Sequence, residues 1–275
     1  MSTTPATRTP LVLTKREGSI TRLTLARPDR RNALSPRMAE ELTRALREAE
    51  ADASIRVVVL RGAGGSFCSG GDLAPEAGDM QAERTPSSPA ASQLDLMNRV
   101  YGALIRTLHE FPRPVIALVE GVAAGAGANL AFACDLVYAS ESARFAEIFV
   151  KRGLGLDCGG SWLLPRLIGL QRAKSLAFFG DWLDATTARE FGLVTEVYAE
   201  ADFESATAER IETLATRAPL ALTQIKQSLH QGAEIGLAEA LAAEATTQAA
   251  LGATEDVAEG FRAFLQKRDP EFQGR

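Results

Sequence analysis

Val57-Val58-Val59-Leu60-Arg61-Gly62-Ala63-Gly64-Gly65-Ser66-Phe67-Cys68-Ser69-Gly70-Gly71-Asp72 joins two unlike signals. Its first four residues are uninterrupted apolar positions bounded by arginine and glycine, which fit a strand buried on both faces. The remainder is too rich in glycine for a helix or a strand and reads as a turn. A similar passage begins at Val115-Ile116-Ala117-Leu118-Val119. It runs into Gly121-Val122-Ala123-Ala124-Gly125-Ala126-Gly127-Ala128-Asn129-Leu130 and continues as a helix to Cys134. Small residues therefore stand twice where a buried strand passes toward a helix, and there a ligand can approach the main chain closely.

Outward from these two passages the chain alternates. Leu11 to Leu25 predicts two strands around a turn at Glu17-Gly18, broken by Arg27-Pro28-Asp29. Ser35-Pro36 opens a helix whose apolar face is Met38, Leu42, Ala45, Leu46 and Ala49. Leu94, Met97, Tyr101, Leu104 and Leu108 mark a second, ended by Pro112 and Pro114. Further strands are expected over Asp135–Ala139, Arg144–Phe149 and Val194–Tyr198, with helices from Ser161, around Arg172–Phe179 and from Ala185. The alternation predicts an α/β fold with mainly parallel strands. From Ala201 the pattern is helical, with Ile211, Leu214, Leu222, Ile225 and Leu229 as apolar positions, and such a tail often packs on another subunit. The expected division is a disordered arm over residues 1–10, a core over 11–200 and a helical region over 201–275. Ala74 to Ser92, rich in Pro, Ser and Ala, reads as a mobile surface loop beside the ligand pocket.

The net charge of −5 gives the chain no general attraction to nucleic acid or to an anionic membrane surface, so a phosphorylated ligand would need a local basic cluster. Three cysteines, Cys68, Cys134 and Cys158, fit neither a disulfide framework nor a zinc pattern, and two histidines exclude a His-rich metal site. This predicts a reducing, cytoplasmic compartment. The first ten residues lack the apolar stretch of a signal peptide, and no apolar run is long enough to span a bilayer.

The glycine runs fail as nucleotide sites. A dinucleotide fingerprint starting at Gly62 needs glycine where Phe67 stands, and one starting at Gly125 needs it where Leu130 stands. No Lys-Ser/Thr pair closes a P-loop, and Gly159-Gly160-Ser161-Trp162-Leu163 lacks the last glycine of a nucleophile elbow. His109 and His230 have no evident serine partner. Two strand-to-helix turns facing each other would instead offer paired backbone N–H groups to a developing oxyanion. The competing explanation is tight helix–strand packing with no ligand.

Several motifs in order carry a family resemblance. Arg27-Pro28-Asp29-Arg30-Arg31-Asn32-Ala33-Leu34 resembles the opening motif of the crotonase (enoyl-CoA hydratase/isomerase) superfamily, and Phe67-Cys68-Ser69-Gly70-Gly71-Asp72-Leu73 its first oxyanion loop. Glu120-Gly121-Val122 through Asn129-Leu130, with Cys134-Asp135-Leu136, resembles the second. Gly153 to Ser161, Leu164-Pro165-Arg166 and Ala188 to Val194 complete the series. The resemblance implies a spiral of ββα turns with a helical C-terminal region that forms trimers or dimers of trimers. It implies a coenzyme A thioester as substrate and no cofactor. It places the two oxyanion N–H groups on Gly71 and Ala126. It places substrate contacts on Arg30, Ala33, Ser69, Asp72, Leu73, Asn129 and Phe149, with Lys267 reaching CoA across a subunit boundary.

The departures decide the chemistry. Hydratases of the superfamily use two glutamates, where this chain has Asn129 and Phe149, neither a base at neutral pH. Asp157 stands where some isomerases of the superfamily place a catalytic aspartate, and the run Asp157 to Arg166 is similar to phenylacetate-pathway enoyl-CoA isomerases. One carboxylate suffices to move a proton between two carbons. It would need an apolar pocket to raise its pKa, which Leu154, Leu156 and Trp162 are placed to line. The bland alternative for Asp157 is a cap on a helix or turn, which is also the reading of Asp72. Glu147, two residues before Phe149 on the expected strand, is a second carboxylate on the same face or a solvated strand residue. Cys68 and Cys158 fill space, and His109 is explained by the C-terminal dipole of its helix. Three readings stay open: an enoyl-CoA isomerase, an enoyl-CoA hydratase, and a non-catalytic acyl-CoA binder.

Overall fold

The computed structural model describes residues 9–73 and 89–275. The expected arm falls almost wholly outside them, as does the loop from Ala74 as far as residue 88. β1 (Val12–Glu17) and β2 (Ile20–Leu25) form an antiparallel hairpin. α1 (Pro36–Ala51) starts at Ser35, whose hydroxyl accepts from the Met38 amide at 3.3 Å, and it buries the predicted apolar face. β3 (Val57–Gly62) then joins β2 in parallel.

The path after β3 repeats. The chain leaves the large sheet, crosses to a smaller one and returns through a helix. Cys68 crosses first, as a single parallel bridge to Ala123. After α2 (Pro89–Leu96), a π-helical turn over Met97–Tyr101 and α3 (Gly102–His109), β4 (Val115–Val119) re-enters the large sheet. β5 (Val122–Ala124) lies in the small sheet, followed by α4 (Ala126–Phe132). β6 (Leu136–Ser140) and β7 (Arg144–Ala146) do the same, followed by a 3-10 turn over Ile148–Arg152 and α5 (Gly160–Phe179). β8 (Leu183–Asp184), α6 (Ala185–Phe191) and β9 (Glu196–Tyr198) close the two sheets, ordered β1-β2-β3-β4-β6-β9 and β5-β7-β8. Every pairing in the large sheet beyond the hairpin is parallel, as the alternation predicts.

The continuous apolar runs are explained by burial on both faces. Because successive side chains point to opposite faces, Val58, Leu60, Val115, Ala117 and Val119 enter one core with α1, α3 and α4. Val57, Val59, Ile116 and Leu118 enter another, covered by Phe203, Ile211 and Ala215 of α7 (Phe203–Ala215). α8 (Pro219–Gly232), α9 (Leu237–Gly252) and α10 (Glu255–Gln266) come last, and among the described residues no strand occurs beyond β9.

Four local expectations are corrected. The strand expected to reach Phe149 ends at Ala146, since Glu147 turns out of the extended region (φ −94°, ψ 69°) into the 3-10 turn. Leu94 is 65% exposed although it continues the apolar stripe: the π turn carries extra residues per turn, so positions upstream fall out of phase with Leu104 and Leu108. Pro89 to Ser92, assigned to the loop, begin α2. The helices expected from Ser161 and around Arg172 are one element, interrupted by non-helical Gly169. In addition, β5 and β8 are too short to carry a strand pattern in the sequence.

Candidate active site

The spiral sets three loops side by side. Cys68 pairs with Ala123 and Ala123 with Phe145, so the residues just after these positions lie next to one another at one end of the small sheet. The Gly125 amide donates to the Ala146 carbonyl at 2.8 Å, which fixes the second loop on the third. Gly70 fixes the first on the second. A Cβ at Gly70 would lie 2.8 Å from the Ala124 carbonyl oxygen and 4.0 Å from the Ala126 nitrogen, and its φ of +108° favours glycine in any case.

Gly71 owes its free amide to the pairing around it. Leu34 donates to the Gly70 carbonyl at 2.8 Å and accepts from the Asp72 amide at 3.0 Å. In a parallel bridge of this kind the intervening residue directs its own N–H away from the partner strand. The Leu34 carbonyl also accepts from the Tyr101 hydroxyl at 3.1 Å, so a side chain from the π turn holds the same peptide. Ala126 is the first residue of α4, where an N–H has no partner within the helix. Among the described residues neither the Gly71 nor the Ala126 amide donates a hydrogen bond. Among the described residues, a Cβ at Gly71 would meet nothing within 4 Å.

Two acids and an amide form a second cluster, with the amide on the same helix as Ala126. Asn129, fully buried on α4, donates through Nδ2 to the Asp157 carbonyl at 2.9 Å and, weakly, to Glu147 Oε2 at 3.4 Å. Gly160 makes room for it: a Cβ there would strike Asn129 Nδ2 at 2.5 Å. Asn129 Oδ1, Glu147 Oε1 and Asp157 Oδ1 are all buried without a hydrogen-bond partner. Burial raises the Asp157 carboxyl above the usual range, partly offset by a hydrogen bond from the Cys158 thiol. Glu147 is pushed up to about 8, first by burial, then by the nearby Asp157 charge. Glu147 is thus a 0% exposed group of the site, and the expectation of a solvated strand residue is overturned. Alternating polarity could not reveal this, because Glu147 lies beyond the strand's end.

The remaining expected residues fall around this centre. Asp72 caps nothing. Its carboxylate, 4% exposed, is held by Arg27 Nη1 at 2.8 Å, with Arg30 Nη1 at 3.8 Å. Arg27 is a site residue that sequence reasoning misses, although it stands first in the opening motif. Ser69 donates to the Arg30 carbonyl at 3.3 Å, Ala33 is buried, and Leu73 is exposed. Phe149 is buried against the Gly125 backbone. Lys267 is the exposed C-cap of α10. Leu156 packs on the core, whereas Leu154 is exposed. Trp162 turns elsewhere, under Arg166 at 4.0 Å and edge-on to His109. His109 stacks on His230 at 4.1 Å, a contact that the helix dipole alone does not supply. The three thiols are free and buried, and burial raises each pKa.

The comparisons with known proteins agree with this architecture. The Enoyl-CoA hydratase/isomerase family matches residues 15–275, and the chain belongs to that family. It is 41% identical over 253 residues to a Rhodobacter capsulatus protein named "Probable enoyl-CoA hydratase", covering 92% of this chain and 94% of the relative. It is 39% identical over 264 residues to the 1,2-epoxyphenylacetyl-CoA isomerase of Escherichia coli, covering 96% and 98%. The solved enoyl-CoA hydratase from Bacillus anthracis superposes with a TM-score of 0.87 at 32% identity, covering 96% of this chain and all of that one. The fold is therefore the crotonase fold, and the chain is an enzyme of a family whose members carry both hydratase and isomerase names. Among the described residues no helix is long and apolar enough to cross a membrane.

Proposed function

We propose that the protein is an enoyl-CoA isomerase in which Asp157 moves a proton between two carbons of a thioester enolate held by the Gly71 and Ala126 amides. The observation that carries this reading is the pair of amides without partners, on adjoining loops, in a site with one partly solvated carboxyl. A C–H beside a thioester is weakly acidic. The Asp157 carboxylate takes the C2 proton, and the C–H electron pair moves into the thioester to leave the charge on its oxygen. Two N–H donors there are each worth roughly 3 kcal/mol of barrier. The electrons then return through C3, the C3=C4 pair takes the proton from Asp157 at C4, and the double bond ends between C2 and C3. Arg30 supplies positive charge for the CoA phosphates, beside Ala33, Ser69 and Leu73. Phe149 and Asn129 line the acyl side, where a hydratase would need bases.

The protein would act as a homo-oligomer in the cytoplasm. What supports association is α10, which exposes Phe261, Phe264 and Leu265 at 69–80%. Incubation with 3-enoyl-CoA and 2-enoyl-CoA thioesters tests the activity. The expected product is the conjugated 2-enoyl thioester. Hydration to a 3-hydroxyacyl-CoA without a double-bond shift, or tight binding without turnover, would overturn the reading. Asp157→Asn should lower kcat by about 10²–10⁴-fold, the range for a positioned acid–base group. Because burial raises the Asp157 pKa, the rate should fall with decreasing pH already above the ordinary carboxylate range.

A further inference from the structure

Glu147 is used by none of these steps, yet it is completely buried beside Asp157. The elements packed against it supply few charges. α4 contributes the neutral amide of Asn129, and the segment before α5 contributes Asp157 and Cys158. The turn after α5 contributes backbone at Gly180, and Lys151 and Asp181 pair with each other outside at 3.2 Å, half to three-quarters exposed. Among the described residues no arginine or lysine offsets the Glu147 charge. Asn129 Nδ2 reaches both Glu147 and the Asp157 carbonyl, and the Cys158 thiol reaches Asp157, yet among the described residues three oxygens of this cluster, Asn129 Oδ1, Glu147 Oε1 and Asp157 Oδ1, stay buried without a donor. Leaving such a group without a partner is destabilising, and more so when it is ionised. Two carboxylates without a cation cannot both keep their charge in such a place.

We propose that Glu147 and Asp157 share a single proton at neutral pH, which Glu147 holds so that Asp157 remains the ionised member. The inference rests on Asp157 as the proton-transfer group. Glu147 is a positioning residue that acts through it. Glu147 is the natural holder because it has no solvent and only a 3.4 Å contact to support its charge, whereas Asp157 keeps a thiol donor and partial solvation. An O–H on Glu147 adds a donor to a cluster with more acceptors than donors. Once Glu147 ionises, a second buried negative charge opposes the negative charge that develops on the enolate. The rate should therefore fall as pH rises past about 8.

The test is the pH profile of kcat for the full-length wild-type protein and Glu147→Gln, with a 3-enoyl-CoA substrate. The wild type should lose roughly tenfold per pH unit on the alkaline limb. Glu147→Gln, neutral at every pH, should lose that limb. An unchanged alkaline limb in Glu147→Gln would overturn the proposal. Infrared difference spectroscopy gives an answer that does not depend on how the variant folds. The wild type should show a protonated carboxyl band that titrates in the alkaline range. Its absence would overturn the proposal. The two readings fail separately: full activity in Asp157→Asn removes the acid–base assignment, whereas an inactive Asp157→Asn with an unaltered Glu147→Gln profile removes only the shared proton.

Discussion

The two walls of the site are built by opposite means. The wall with Gly71 and Ala126 is made of backbone, and the groups around both amides are bonded: Gly70, Asp72 and Gly125 all have main-chain partners, and Leu34 is engaged three times. The wall with Asn129, Glu147 and Asp157 is made of side chains, and each of them leaves an oxygen unsatisfied. One wall is held by its backbone, since the groups flanking the two free amides are spent on structure. The other stores unpaired acceptors, the condition in which a proton has somewhere to go. Stabilising charge needs fixed dipoles and moving protons needs groups whose affinities can change, so the division of materials matches the division of labour in the proposed mechanism.

The comparison breaks most sharply if one donor is deleted from the backbone wall. Ala126→Pro removes the N–H at a helix position where proline is otherwise well tolerated, so the fold should persist by circular dichroism. Its kcat should fall by about 10²–10³-fold. Distorting the wall without deleting a donor should come next. Gly70→Ala forces a side chain against the Ala124 carbonyl at a left-handed φ, displaces the Gly71 peptide, and should cost roughly 10²-fold in kcat/KM. The smallest effect belongs to the outermost support. Tyr101→Phe removes one bond to the Leu34 carbonyl, so its stability should drop by about 1 kcal/mol in urea titration. Its rate should change by less than about tenfold. A Tyr101→Phe loss as large as that of Ala126→Pro would mean that the backbone wall is not self-supporting.

The backbone wall is also the more legible one. Buried strands announce themselves by unbroken apolar runs, and a glycine in an apolar passage marks a place where a backbone needs room. Local pattern points to the two loops, and motif order points to Gly71 and Ala126 within them. The acid wall depends on contacts between residues far apart in the chain. A motif surrounds Asp157 and draws attention to it. Nothing local does so for Glu147, since its burial comes from α4 and the segment before α5 rather than from its own strand. Trp162 shows the same limit in reverse. It is near Asp157 in sequence, but its helix turns it toward His109 and Arg166. Asp72 reads as a cap because Asp commonly is one, and only the fold reveals that Arg27, distant in sequence, claims it.

The π turn over Met97–Tyr101 carries a built-in angular offset. Each residue of an α-helix advances the winding by about 100°. Rewinding the segment as ordinary α-helix at its full length would swing the preceding helix by about one residue's step and bring Leu94 from the water toward the interior, whereas excising one residue would restore the α-helix and leave Leu94 where it is. Tyr101, which reaches the Leu34 carbonyl, sits at the downstream end of that offset. The winding irregularity thus behaves like a spacer, letting one helix meet two surfaces that no uniform pitch could serve together.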